Sequence, residues 1–176
     1  ALLTSQHLLL QIQGRGTFVR SGSIEGVIEP RLRPVTEIFD SGNIAYSTKI
    51  LAQSLLAPSD KLRRALSSAP GQQALNVKWL VSLEDTPFVV SDIYLSGPFV
   101  PQLEHCELSI QSLYRTLERV CGSRIGRSRD VFAAVAAPPW VSPLLEVAPH
   151  APALYIERRL YDEPNRLILY SENCLR

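Results

Sequence analysis

The side chains that could perform chemistry are spread along the chain without a catalytic arrangement. The three histidines lie far apart, with no spacing typical of metal ligands. The cysteines form no CxxC pair, so we interpret Cys106, Cys121 and Cys174 as free thiols in a reducing compartment. No nucleophile–base pair, paired catalytic carboxylates or phosphate-cradling loop is recognisable. We therefore expect a protein that is not an enzyme, with no catalytic residue, metal site or cofactor.

Composition is that of an ordinary globular protein. The 176 residues are 45% apolar and 20% charged, enough for one domain, or one domain plus a small appendage. The net charge of +1 gives no overall basic field for nucleic acid, and no apolar run approaches the ~20 residues of a membrane span. The start has no signal-peptide pattern, and the chain has no methionine. We expect a cytoplasmic fragment with further sequence upstream.

The elements that must position any binding site centre on a predicted β-hairpin at residues 75–95. Apolar residues alternate with mostly polar ones from Leu75 to Leu83, the period-two pattern of a strand with one apolar face. A polar break at 84–87 separates the two strands. Pro87 has no N–H for a ladder, which suits the start of the second strand. This pattern predicts the central pair of an antiparallel sheet.

The remaining elements follow no regular βαβ rhythm. We predict strands at 45–56, 124–137, 153–161 and 167–174, helices at 60–67 and 110–121, short helices at 34–42 and 140–147, and a turn at 97–101. Ser59 and Ser109 are the expected N-caps, and Gly122 ends the second long helix. This mixture predicts an α+β fold, an antiparallel sheet flanked by helices.

Near the start, a short hairpin at residues 9–20 carries one basic residue at its tip. Its glycines can supply the positive φ that a tight turn needs. The run QGRGTFV at 13–19 resembles the wing of the winged helix-turn-helix domain of GntR-type bacterial regulators. The resemblance implies that Arg15, with Gly16 and Thr17, contacts DNA at phosphates or in the minor groove.

From residue 34 to 176 the order of motifs resembles the effector-binding UTRA domain of the HutC subfamily of GntR regulators. The matching stretches are a short helix ending at Gly42, YSTK at 46–49, EDTP at 84–87, SLY at 112–114, an Ala-rich strand at 133–137 and PALYIER at 152–158. The resemblance implies a chorismate lyase-like fold with a ligand cavity. It also implies a homodimeric regulator, usually a repressor released from operator DNA by a small metabolite. The expected division is a wing remnant at 1–20, a linker at 21–33 and the UTRA domain at 34–176.

The resemblance also implies an effector pocket with polar walls. Ser47 and Thr48 would contribute from the first strand, and Glu172 from the end of the chain. Ser112 and Tyr114 would contribute from a helix, where a hydroxyl near the N-terminus can help to bind an anion.

The central hairpin departs from the family pattern. The family often has Arg-x-Arg on the first strand and Glu on the second, whereas these positions hold Trp79, Val81 and Ser91 here. An arginine pair would clamp a phosphate, which Trp and Val cannot do. We therefore expect an effector that is apolar or aromatic at this end, with any anionic group near the hydroxyls. Trp79→Ala is expected to weaken binding without unfolding the domain, although a plain core role for Trp79 is the alternative.

Two other functions fit the same resemblance. One is a lyase-like enzyme on this scaffold, acting on an aromatic acid. The other is a dimerisation module that binds no ligand. The charged run Glu157-Arg158-Arg159 is most simply a solvated or sheet-edge cluster, and a place in the pocket or a dimer interface is its alternative.

Overall fold

A computed structural model gives the fold of the chain. It describes residues 9–12, 16–19, 23–26, 39, 42–97, 100–106, 108, 113–122 and 124–176, the first three ranges by backbone alone. The strands are β1 (Leu9–Ile12), β2 (Gly16–Val19), β3 (Ser23–Gly26), β4 (Tyr46–Leu56), β5 (Ala74–Leu83), β6 (Thr86–Ser96), β7 (Ile125–Ala136), β8 (Pro152–Asp162) and β9 (Leu167–Leu175). The helices are α1 (Asp60–Leu66), α2 (Val100–Glu104) and α3 (Leu113–Cys121).

The strands form two antiparallel sheets. Seven of them pair in the order β3-β7-β8-β9-β6-β5-β4, and β1 pairs with β2 in a separate hairpin. This confirms the α+β fold with an antiparallel sheet and flanking helices that the sequence predicts. None of the helices in the described ranges is long and apolar enough to cross a membrane.

The predicted central hairpin is confirmed as β5 and β6. Glu84 and Asp85 form its tip with φ of 45° and 66°, the left-handed conformation that suits a two-residue hairpin turn. Next to the turn the register shifts by one residue, so that Ser82 faces Pro87. Such a bulge accommodates the proline, which cannot donate to the ladder.

Successive side chains of a strand point to opposite faces, so the large sheet has an inner and an outer face. The inner face carries Val77 and Trp79 and is covered by α2 and α3, whose Leu103 and Leu117 pack in the same core cluster. The outer face carries Lys78 and Asp92, which face each other across β5 and β6. Helix α1 packs on this second side, against residues that include Tyr170.

Helix α1 begins where the sequence predicts, because Ser59 accepts a hydrogen bond from the Leu62 N–H at 3.3 Å. The predicted helix at 140–147 is wrong, since this segment is a series of turns. Pro143 lies within it and lacks the N–H that a helix interior requires. The predicted turn at 97–101 is partly wrong, because α2 begins at Val100.

Strand β3 lies in the segment expected to link two domains. It pairs with β7 in the large sheet, with Gly26 opposite Asp130 and Ser23 opposite Ala133. Most of the predicted short helix at 34–42, and the predicted cap Ser109, lie outside the described residues.

Candidate functional site

The inner face holds an ion pair beneath α3, between the buried Asp130 and the partly exposed Arg158. Arg158 donates through Nε and Nη2 to the two carboxylate oxygens of Asp130, at 2.9 and 2.6 Å. Its Nη1 donates to the hydroxyl of Tyr114 on α3 at 3.3 Å. Burial is the largest effect and opposes the charge of the Arg158 guanidinium, but the hydrogen bonds and charge interactions with Asp130 and Tyr114 together outweigh it, so the pKa of Arg158 is raised. The two parallel hydrogen bonds to Asp130, with the third to Tyr114, hold the guanidinium between α3 and β7.

Next to this pair, small polar residues interrupt the apolar inner face. In the strand register Ser171 lies opposite Arg158, and Asn173 lies opposite Ile156 and Ser91. The Asn173 amide donates to the Ile156 carbonyl and to the Ser171 hydroxyl, both at 3.0 Å. Ser91 and Ser171 are only 5% and 3% exposed. We call Ser91, Ser171, Asn173, Arg158 and Tyr114 the polar strip.

Burying polar groups costs free energy unless they find partners, and ligand pockets are mostly apolar with a few placed polar groups. The polar strip has this character because apolar side chains surround it. It could hold a small molecule by hydrogen bonds from hydroxyl, amide and guanidinium groups. It holds no nucleophile–base arrangement that would act on such a molecule.

Trp79 is a core residue in this structure. It is 1% exposed and packs in the inner-face core with Leu75 and Leu117. Its indole Nε1–H has no hydrogen-bond partner among the described residues, which is uncommon for a buried donor. The expectation that Trp79→Ala leaves the fold intact is therefore withdrawn, because truncating so large a buried side chain leaves a cavity.

The other hairpin and first-strand candidates lie at one end of the sheet. Val81 is fully buried in an apolar cluster with Phe39 and Val89. Thr48 pairs with Val81 in the strand register, so its side chain is on the inner face. Its neighbour Ser47 is exposed and, by the alternation of the strand, points to the opposite face.

Glu172 does not join these residues. It lies between Ser171 and Asn173 on β9 and therefore points to the outer face. There it accepts a hydrogen bond from the Tyr170 hydroxyl at 3.0 Å, and Lys61 of α1 lies 3.8 Å away. The structure separates Glu172 from Trp79, Ser91 and Tyr114 by the thickness of the sheet.

The remaining candidates are described only in part. Ser112 and Arg15 lie outside the described residues. Gly16 and Thr17 belong to β2, where they pair with Ile12 and Gln11 of β1.

Sequence reasoning missed Asp130, Ser171 and Asn173, and it gave Arg158 a place in the pocket only as the alternative to a solvated or sheet-edge charge cluster. The available signal was the alternation along β9, which places Ser171 and Asn173 on one side and Glu172 on the other. The pairing of β9 with β6, in which Asn173 lies opposite Ser91, decides which of these two sides is the inner face.

The outer face carries a network of carboxylates and their donors. Asp92 accepts hydrogen bonds from Asn76 at 2.5 Å and Tyr94 at 2.9 Å, and pairs with Lys78. Exposed Trp140 lies over that lysine, with the ammonium 4.6 Å from a ring centroid. The carboxylates and their donors satisfy one another's hydrogen-bonding groups, so this network stabilises the sheet.

Three tyrosines border the outer-face acids: Tyr94, Tyr155 and Tyr170. Burial first, and the negative charges of Asp92, Glu157 and Glu172 second, raise the pKa of each phenol above its ordinary value of 10.0.

We expect these raised pKa values to make the protein sensitive to alkali. The folded state keeps each phenol protonated at a pH where the unfolded chain has lost the proton, so this stability is complete below about pH 10 and is lost as pH rises. The slope is at most about 1.4 kcal/mol per pH unit for buried Tyr170, and less for the more exposed Tyr94 and Tyr155. Urea unfolding between about pH 9 and pH 11 measures it. Tyr170→Phe should flatten the slope, and an unchanged slope in that variant would contradict the assignment.

Comparison with known proteins identifies the family of this chain. The family model described as the UTRA domain matches residues 41–176. The chain is similar to the HTH-type transcriptional repressor NagR of Bacillus subtilis (strain 168), at 22% identity over 90% of this chain and 65% of that protein. It is also similar to the histidine utilization repressor of Pseudomonas putida, at 26% identity over 90% of this chain and 63% of that protein. The chain thus spans a little under two thirds of the length of either relative.

A solved structure agrees on the fold. The crystal structure of PhnF from Mycobacterium smegmatis superposes with a TM-score of 0.75 at 18% identity, covering 99% of this chain and 76% of that one. At this identity the likeness concerns the arrangement of strands and helices alone.

Proposed function

The chain belongs to the UTRA domain family, and from that premise we propose that it senses a small effector within a bacterial GntR-type transcription repressor of the HutC subfamily. Both curated relatives are named as repressors. In the whole protein, effector binding would control the affinity for operator DNA. No observation favours the lyase-like alternative.

The polar strip beneath α3 is the observation that supports this proposal most directly. A domain with no ligand would gain stability from apolar residues there, because a polar group under a helix costs free energy unless every partner is present. We propose that the effector lies between this strip and α3, contacting Ser91 and Tyr114. Its apolar part would lie toward Trp79, whose indole N–H has no partner among the described residues and is a further donor.

Two of the remaining sequence candidates stay in the proposed site, and two leave it. Thr48 is on the inner face beside Val81, and Ser112 precedes Tyr114 by two positions in the sequence. Ser47 and Glu172 are left out because their strands direct them to the opposite face.

The DNA and dimer contacts are proposals for the whole protein. From the resemblance of the QGRGTFV run to a wing, we propose that Arg15, Gly16 and Thr17 contact DNA phosphates. A homodimer would match the two-fold symmetry of a palindromic operator.

A metabolite screen by thermal shift on this chain, followed by operator release from the full-length protein, tests the proposed function. We expect one metabolite class to raise the melting temperature, because a ligand that binds only the folded state stabilises it by mass action. Ser91→Ala should weaken the affinity for that metabolite about 5- to 30-fold, as one lost hydrogen bond to a ligand costs about 1–2 kcal/mol.

Glu172→Gln is the matched control, since this residue lies on the other side of the same sheet. It should leave the response unchanged. A ligand whose binding depends on Glu172 and not on Ser91 would refute the proposed site, and a ligand that does not release operator DNA would refute the sensing role.

A further inference from the structure

Arg158 retains donors that no group in the described part of the chain uses. Its three hydrogen bonds take one N–H each from Nε, Nη1 and Nη2. Each terminal nitrogen of a guanidinium carries two N–H groups, so one on Nη1 and one on Nη2 are left without a partner in the described part of the chain. The Arg158 side chain is 24% exposed, so part of it is open to solvent.

The residues around Arg158 determine which side of its guanidinium is left for a ligand. Asp130, which is 0% exposed, takes the side of the guanidinium formed by Nε and Nη2. Ser171 lies opposite Arg158 in the strand register, and its hydroxyl accepts from Asn173 and can still donate its own proton. Convergent N–H and O–H donors recognise an oxygen acceptor, and a guanidinium matches a planar carboxylate best.

The net charge around Arg158 favours a carboxylate over a phosphate as the bound anion. Arg158 and Asp130 together carry no net charge, so they offer hydrogen bonds to an anion with little net attraction. A singly charged group that accepts both N–H bonds suits such a site. A doubly charged phosphate would lose more hydration than these donors restore, because burying uncompensated charge is costly.

We propose that Arg158, held by Asp130 and Tyr114, is the group that binds a carboxylate on the effector. This inference rests on the proposed function, and it names the chemical class of the ligand: a small monocarboxylate with an apolar or aromatic body. It assigns to β8 the anion-binding role that the hairpin residues Trp79 and Val81 cannot perform. The apolar body would lie along the inner face toward Trp79.

Arginine-labelled NMR tests the assignment directly in the wild-type protein. The ¹⁵N signal of the Arg158 Nε is identified by its absence in Arg158→Lys and followed during titration with phenylacetate, phenylacetamide and inorganic phosphate. We expect phenylacetate to shift the signal saturably. The uncharged amide should bind at least about tenfold more weakly, which is about 1.4 kcal/mol, and phosphate should also bind more weakly than phenylacetate.

The chain supplies a matched control in the next residue. Arg159 points to the outer face, where it pairs with Glu157 and lies over Tyr170. Arg158→Lys should weaken phenylacetate binding about tenfold or more, since lysine offers a point charge in place of a planar fork, whereas Arg159→Lys should leave it unchanged.

Several results would overturn the proposal: no shift of the Arg158 signal with phenylacetate, equal binding of the amide, tighter binding of phosphate, or equal losses in the two arginine variants. The titration is made on the wild-type protein, and the variant is used there only to assign the Arg158 signal. Its failure is also distinct from failure of effector sensing. An effector that acts equally on wild type and Arg158→Lys supports sensing and overturns the carboxylate site. A carboxylate that shifts Arg158 but never releases operator DNA supports the site and refutes the sensing role.

Discussion

Trp79→Ala is expected to lower the free energy of unfolding by about 3–5 kcal/mol. The indole is 1% exposed, on the central strand pair, and packs in the inner-face core with Val77 and Ile93. Truncation removes its transfer free energy and leaves a cavity that a rigid sheet cannot collapse to fill. Urea unfolding followed by circular dichroism measures the loss.

Trp140 is the natural control for this experiment. Its side chain is 47% exposed, and its contact with Lys78 is a cation–π interaction at the surface. Trp140→Ala should cost less than about 1 kcal/mol. Equal losses in the two variants would show that Trp79 does not fill a packed core.

Arg158→Ala is expected to cost about 3 kcal/mol or more of stability. The change removes the guanidinium and leaves the Asp130 carboxylate, which is 0% exposed, without its charged partner. The loss measures the cost of an unpaired buried charge, so Arg158→Ala combined with Asp130→Ala should be less destabilising than the sum of the two single changes.

The ion pair of Arg63 and Asp60 on α1 is the matched surface control. Its atoms are as close, at 2.8 Å, but the two side chains are 37% and 75% exposed. Arg63→Ala should therefore cost no more than about 0.5 kcal/mol. If removal of either arginine costs the same, burial does not set the value of the inner-face pair.

Local pattern was enough to predict most of the elements. The alternation of apolar residues fixed β5, because a strand with one buried face must repeat every second residue. The Ser59 hydroxyl and the apolar spacing that follows fixed α1 for an equally local reason. The family resemblance then supplied the sheet architecture, and the UTRA match over residues 41–176 agrees with it.

Local pattern failed where two structures fit the same residues. The segment 140–147 has apolar residues at helical spacing, yet Pro143 and packing against the sheet make it a series of turns. Helix α2 is five residues long and contains Pro101, so its sequence gives little helical signal. For such short segments tertiary contacts outweigh intrinsic propensity.

The sequence by itself determined most of the strands of the large sheet, though not β3, and the alternation of their side chains, which follows from backbone geometry. It did not determine which of two alternating sets faces the helices. For β9 that choice separates Ser171 and Asn173 from Glu172, and for β8 it separates Arg158 from Arg159. Only the pairing of β8 and β9 with distant strands decided it, since a register shift of one residue would turn every side chain to the other face.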